Sequence, residues 1–159
     1  MTKEQIREFT LRTSQENHSG LILVLTDIEK VYLSEALSFY DKGDADEYFR
    51  SVEYAKRTLN ELIDCFNPGD LLAFRVISIL RFIYDRLVMS AVKGMPQELD
   101  RCALMLDNLR IGFVKLHEID TEGPVMKNTH KVYAGLTYGK GVLNESVGGM
   151  DTSTRGFTA

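Results

Sequence analysis

The sequence predicts an all-α chain: an antiparallel up-down four-helix bundle with an N-terminal arm and a Gly-rich C-terminal tail. Three observations carry that reading. Four long segments repeat apolar residues at steps of three and four, the period of a helix that buries one stripe. The breaks between them, at Gly43, at "NPGD" (Asn67 to Asp70) and at Gly94 to Pro96, are short, so consecutive helices can pack only as antiparallel neighbours. With 159 residues, 44% of them hydrophobic, 26% charged and three prolines, the chain has enough apolar mass for one domain core and a helical composition.

The predicted arm covers residues 1–18, the bundle 19–122 and the tail 123–159. In the arm, Ile6, Phe9 and Leu11 give a short amphipathic signal ahead of the polar stretch "RTSQENHSG". Its spacing suggests that the arm occupies a partner groove in the free chain. The first long helix is expected from Ser19 to Lys42, with a seam of Leu21, Leu25, Ile28, Tyr32, Ala36 and Phe39 and a stop at Gly43. Asp44 followed by Glu47 resembles a capping box for the second, whose seam is Tyr48, Val52, Ala55, Leu59, Leu62 and Phe66.

Asp70 caps the third, Leu71 to Lys93, where apolar residues cover most of the circumference. Pro96 is expected in the first turn of the fourth, followed by Leu99, Cys102 or Ala103, Leu106, Leu109, Phe113 and Leu116. Beyond Glu122 the composition changes: seven of the twelve glycines lie there, and the acidic excess gives way to a basic one. The tail cannot fold alone. Its Val132, Tyr133, Leu136 and Tyr138 either dock on the bundle or belong to a mobile arm.

The residues argue for no catalysis and no cofactor. There is no Glu-x-x-His pair for a helical metal site, no phosphate-binding glycine loop and no Gly-x-Ser-x-Gly elbow. His18, His117 and His130 are read as separate surface residues, and Cys65 and Cys102 as reduced thiols in apolar surroundings. A net charge of −4 gives no basic face for nucleic acid. No leader and no membrane-spanning run is read, so a cytoplasmic chain without membrane insertion is expected.

What remains is surplus apolar surface. In "SGLILVLTDIEKVYL" five aliphatic residues, Leu21 to Leu25, go round the whole helix instead of keeping to one side. The third helix carries a similar excess. Such a surplus is either a partner groove or a face permanently covered by arm and tail.

The run "LILVLTDIEKVYL", the Gly-Asp break, "AKRTLNELIDCF" and "VISILRFIYDRLVMSAV" together resemble the FliS family of flagellar secretion chaperones over about residues 9–117. The chain departs from that family at Thr26, Ile28 and Arg81, where an aromatic residue, a glycine and a tyrosine are common. The resemblance implies a monomeric cytoplasmic protein that binds the disordered C-terminal segment of flagellin, with other flagellar export components as further possible partners.

On that reading Leu21, Ile22, Val24, Leu25 and Ile28 of the first long helix line the groove. From the third come Ile79, Phe82, Ile83 and Leu87, with Asp27 and Arg86 beside them as client-orienting or merely solvated charges. The competing reading is a helical adaptor that binds a folded partner or a second copy of itself.

Overall fold

The computed structural model describes residues 1–125, and among these the regular structure is entirely helical. Five helices follow one another: α1 (Lys3–Gln15), α2 (His18–Asp41), α3 (Ala45–Asp64), α4 (Leu71–Lys93) and α5 (Leu99–Ile119). The four long helices foreseen from the sequence are α2 to α5. The tail residues Val132, Tyr133, Leu136 and Tyr138 lie outside the described residues.

The arm of residues 1–18 is itself mostly a helix. Thr2 Oγ1 accepts the Gln5 N–H at 3.2 Å while Gln5 Oε1 accepts the Thr2 N–H at 2.9 Å, a complete capping box that starts α1. Asn17 caps α2 by accepting the Gly20 N–H at 2.9 Å. At the other end Gly43 takes φ +73°. Its N–H bonds Tyr40 O and that of Asp44 bonds Phe39 O, closing the last carbonyls of α2 in a left-handed turn that glycine adopts without strain.

Asp44 then caps α3 through the Glu47 N–H at 3.2 Å, but only half the expected box forms: the Asp44 N–H bonds Phe39 O and the Glu47 carboxylate pairs with Arg50. Asp70 caps α4 as expected, taking the Leu72 and Ala73 N–H groups. The start of α5 differs from expectation: Pro96 precedes the helix, which begins at Leu99 after Glu98 at φ +56°. Ser90 Oγ accepts the Gln97 N–H at 2.9 Å and holds this connection against α4.

Packing is broadest between α2 and α3. The helices α2 and α5, α3 and α4, and α4 and α5 also meet, and α1 lies on α2. One apolar cluster joins Ile22, Leu25, Leu33 and Ala36 of α2 to Val52, Leu59 and Leu62 of α3. Leu80, Ile83 and Leu87 of α4 and Leu99, Cys102 and Leu106 of α5 complete it. The α3 seam is as expected from Tyr48, whose hydroxyl donates to Ser90 O, to Leu62, but Phe66 falls beyond the helix and is only half-buried.

The α2 seam is rotated by about one residue. Ile22, Leu25, Thr26, Glu29, Leu33 and Ala36 are buried, while Leu21, Ile28, Tyr32 and Phe39 are only half-buried. The buried stripe includes two polar residues, which is why periodicity alone placed it elsewhere. Among the described residues no helix is long and apolar enough to cross a membrane.

Candidate functional site

The nine residues singled out from the sequence divide by depth. Ile22, Val24, Leu25, Ile83 and Leu87 are buried, Val24, Ile83 and Leu87 with no exposed surface at all. In this conformation they offer no face to a partner; the interior takes the aliphatic run of α2 from Ile22 to Leu25. Leu21, Ile28, Ile79 and Phe82 are half-buried and keep part of their surface outside.

The two charges beside them both contact groups of the chain itself. Arg12 Nη2 and Arg110 Nε donate to the Asp27 carboxylate at 2.9 and 2.7 Å, so one carboxylate ties α1 and α5 to α2. Burial alone would raise the acid's pKa, but the hydrogen bonds and charges of Arg110 and Arg12 outweigh it and hold Asp27 below the usual range. Arg86 lies over the Phe82 ring, 5.2 Å from its centroid, and reaches Glu98 at 3.6 Å.

Part of the apolar surface that remains outside gathers between the start of α4 and the end of α5. There the two helices flank a groove of about 590 Å³. Leu72 and Val76 form one wall, Leu109, Leu116 and Ile119 the other, and the paired rings of Phe66 and Phe113, 5.7 Å apart, close it toward the interior. Leu72 is 70% exposed and Ile119 76%, values far from those of core residues.

None of the nine residues lines this groove, and α1 lines none of it either. The surplus on α4 was visible in the sequence. Its partner wall was not, because Leu109, Phe113 and Leu116 follow the ordinary spacing of a core seam, and only packing shows that Leu116 stays 44% exposed.

A polar group gathers around His117 where α5 ends against the α1–α2 junction, whereas the exposed His18 turns to the end of α3, so the two rings share no partner. Ser19 Oγ is 2.9 Å from His117 Nδ1, and His117 Nε2 is 3.8 Å from Glu16. His18 Nε2 lies 2.9 Å from Cys65 O. Ser19 is buried and also bonds Asn17 Oδ1 at 3.1 Å, so its hydroxyl faces no substrate here.

The group also meets the segment after α5. Asn17 Nδ2 reaches Glu122 O, and the Val125 N–H reaches Glu16 O, fastening the segment after α5. Gly20 leaves room for Glu16, since a Cβ there would lie 2.1 Å from Glu16 Oε2.

Both cysteines are free thiols. Burial pushes Cys102 up to about 11, which keeps it protonated and a poor nucleophile or metal ligand. Among the described residues no set of three or more His, Cys, Asp or Glu stands together as metal ligands would. Comparison with known proteins gives no match: no family model fits the chain, and no curated protein or solved structure aligns with it significantly.

Proposed function

We propose that this chain is a cytoplasmic export chaperone of the flagellar type, which binds the C-terminal segment of flagellin and keeps it from polymerising before secretion. The helices α2 to α5 would form an antiparallel up-down bundle, with α1 as the arm laid across α2. Short connections and the cyclic contacts of α2 with α3, α3 with α4, α4 with α5 and α5 with α2 support that topology.

The observation that carries the functional reading is the open apolar groove between α4 and α5. A segment that is disordered when free can fold as an amphipathic helix and set its apolar side chains into such a groove. Ordering the segment offsets part of the gain from burial, which keeps the complex releasable. The resemblance of the α2 to α4 sequence to flagellar secretion chaperones supplies the identity of the client.

Calorimetric titration with a synthetic C-terminal segment of flagellin from the same organism tests this. One-to-one binding with a negative heat-capacity change is expected, and Leu116→Asp on the groove wall should weaken it by about tenfold or more. No heat at two temperatures from a folded, monomeric sample would overturn the reading. Leu104 and Ile111, 63% and 60% exposed on α5, favour a second: an adaptor that docks a folded partner or its own copy. Light scattering that shows a concentration-dependent dimer would support it.

A further inference from the structure

The groove contains a glycine that the free protein does not require. Gly112 lies well inside α5, two turns before its end, where glycine lowers helix stability relative to alanine. It is not in the left-handed region, and an added Cβ would meet nothing within 4 Å. Neither backbone geometry nor packing within the described residues accounts for it. Yet Gly112 lines the groove, on the same face of α5 as Leu109 and Leu116, three residues before it and four after.

The charges around the groove carry a second signal. Lys115 lines it, and Arg75 stands one turn on from Leu72 and one turn before Ile79, beside the α4 wall. Both are exposed, and neither enters an ion pair among the described residues. The one carboxylate lining the groove, that of Asp70, is occupied in capping α4. In a chain of net charge −4, the unpaired charge at this opening is therefore positive.

We propose that the occupant of the α4–α5 groove is an amphipathic helix whose closest approach to α5 is over Gly112 and whose flanks carry carboxylates that meet Arg75 and Lys115. The missing side chain lets the two helices come near enough for a large apolar residue of the occupant to sit between Leu109 and Leu116. The two cations fix its rotation and speed its encounter. This rests on the chaperone reading and adds to it the chemistry by which a segment is selected.

The test is affinity for the flagellin C-terminal segment, measured by fluorescence anisotropy across a salt series for the full chain and its variants. Gly112→Ala should melt higher than the wild type, because it favours the helix, yet bind several-fold more weakly. Gly112→Leu should keep its helix content and lose about tenfold or more in affinity. Arg75→Glu and Lys115→Glu should each weaken binding about two- to fivefold at low salt and flatten the salt dependence. Arg57→Glu, the same charge change on the exposed surface of α3, should do neither.

Wild-type binding unaltered by either Gly112 variant would overturn the close approach and leave the chaperone reading standing. Arg75 and Lys115 variants that behave like Arg57→Glu would overturn the acidic flank. A wild-type chain that binds no segment would remove both readings.

Discussion

Glu29 occupies a position on the buried stripe of α2 where an aliphatic residue would fit, one turn before Leu33. It has no exposure, and neither carboxylate oxygen has a hydrogen-bond partner among the described residues. Burial pushes its pKa well above its ordinary 4.5, so the folded chain holds a proton that the unfolded chain would release. The stability this contributes is complete below 4.5 and falls as pH rises toward the folded value, by at most about 1.4 kcal/mol per pH unit. Asp27 works in the opposite sense: its ion pairs stabilise the fold above the ordinary 3.8 and are lost as pH falls through the lowered value. The two windows do not overlap, so thermal melts from acid to alkaline pH separate them. Glu29→Leu should melt higher than the wild type at pH 7 and lose the decline above pH 4.5. Glu29→Gln should lose the decline but gain less, since a buried amide still lacks partners. A Glu29→Leu chain no more stable than the wild type at pH 7 would mean that the carboxyl is paired or hydrated in solution. Periodicity could not find Glu29, because a charged side chain is scored as solvent-facing wherever it falls.

At the scale of the element, α1 is held by little. Phe9 is its one buried residue; the Arg12 guanidinium lies 5.8 Å from the Phe9 ring centroid while bonding Asp27, and the amino group of Met1 pairs with Glu35. Such a helix opens well below the cost of global unfolding. Arg12→Ala should therefore leave the main melting transition within about 1 kcal/mol of the wild type, yet speed proteolytic cleavage before His18. Asp27→Asn should also loosen α5, because it removes the partner of Arg110, and should lower the melting temperature more than Arg12→Ala does. Equal cleavage rates in wild type and Arg12→Ala would show that Phe9 alone seats the helix. The same thin packing explains why the sequence announced α1 faintly: one buried residue in thirteen makes a weak stripe. By contrast α3, with Tyr48, Val52, Ala55, Leu59 and Leu62 all buried, was legible residue by residue. Pro96 misled because its fixed angle suits a first turn equally well as the approach to one, and the bonds of Gln97 to Ser90 decide between them.

Across the whole molecule, apolar excess was legible in the sequence but its location was not. The run Leu21 to Leu25 is largely absorbed inside, where α2 touches α1, α3 and α5 at once, whereas the surplus at the groove is shared by the start of α4 and the end of α5, some forty residues apart in the chain. Periodicity counts apolar residues per helix; how far two helices diverge depends on the packing of all of them together. The open groove sets an expectation for dynamics. Backbone amides open most slowly where side chains are packed on several sides, so hydrogen exchange should be slowest in the middle of α2 and α3. It should be faster from Leu71 to Val76 and from Gly112 to Ile119, where the groove leaves one side of each helix uncovered. A helix seated in the groove would cover those sides and add partners to Leu72, Leu116 and Ile119, so saturating flagellin segment should slow exchange in both stretches. The same ligand should leave the middle of α3 unchanged, since those amides already open only with the whole fold. Protection that instead appeared along α1 and the outer side of α2 would move the binding surface to the Leu21 and Ile28 side, where the aliphatic run first pointed.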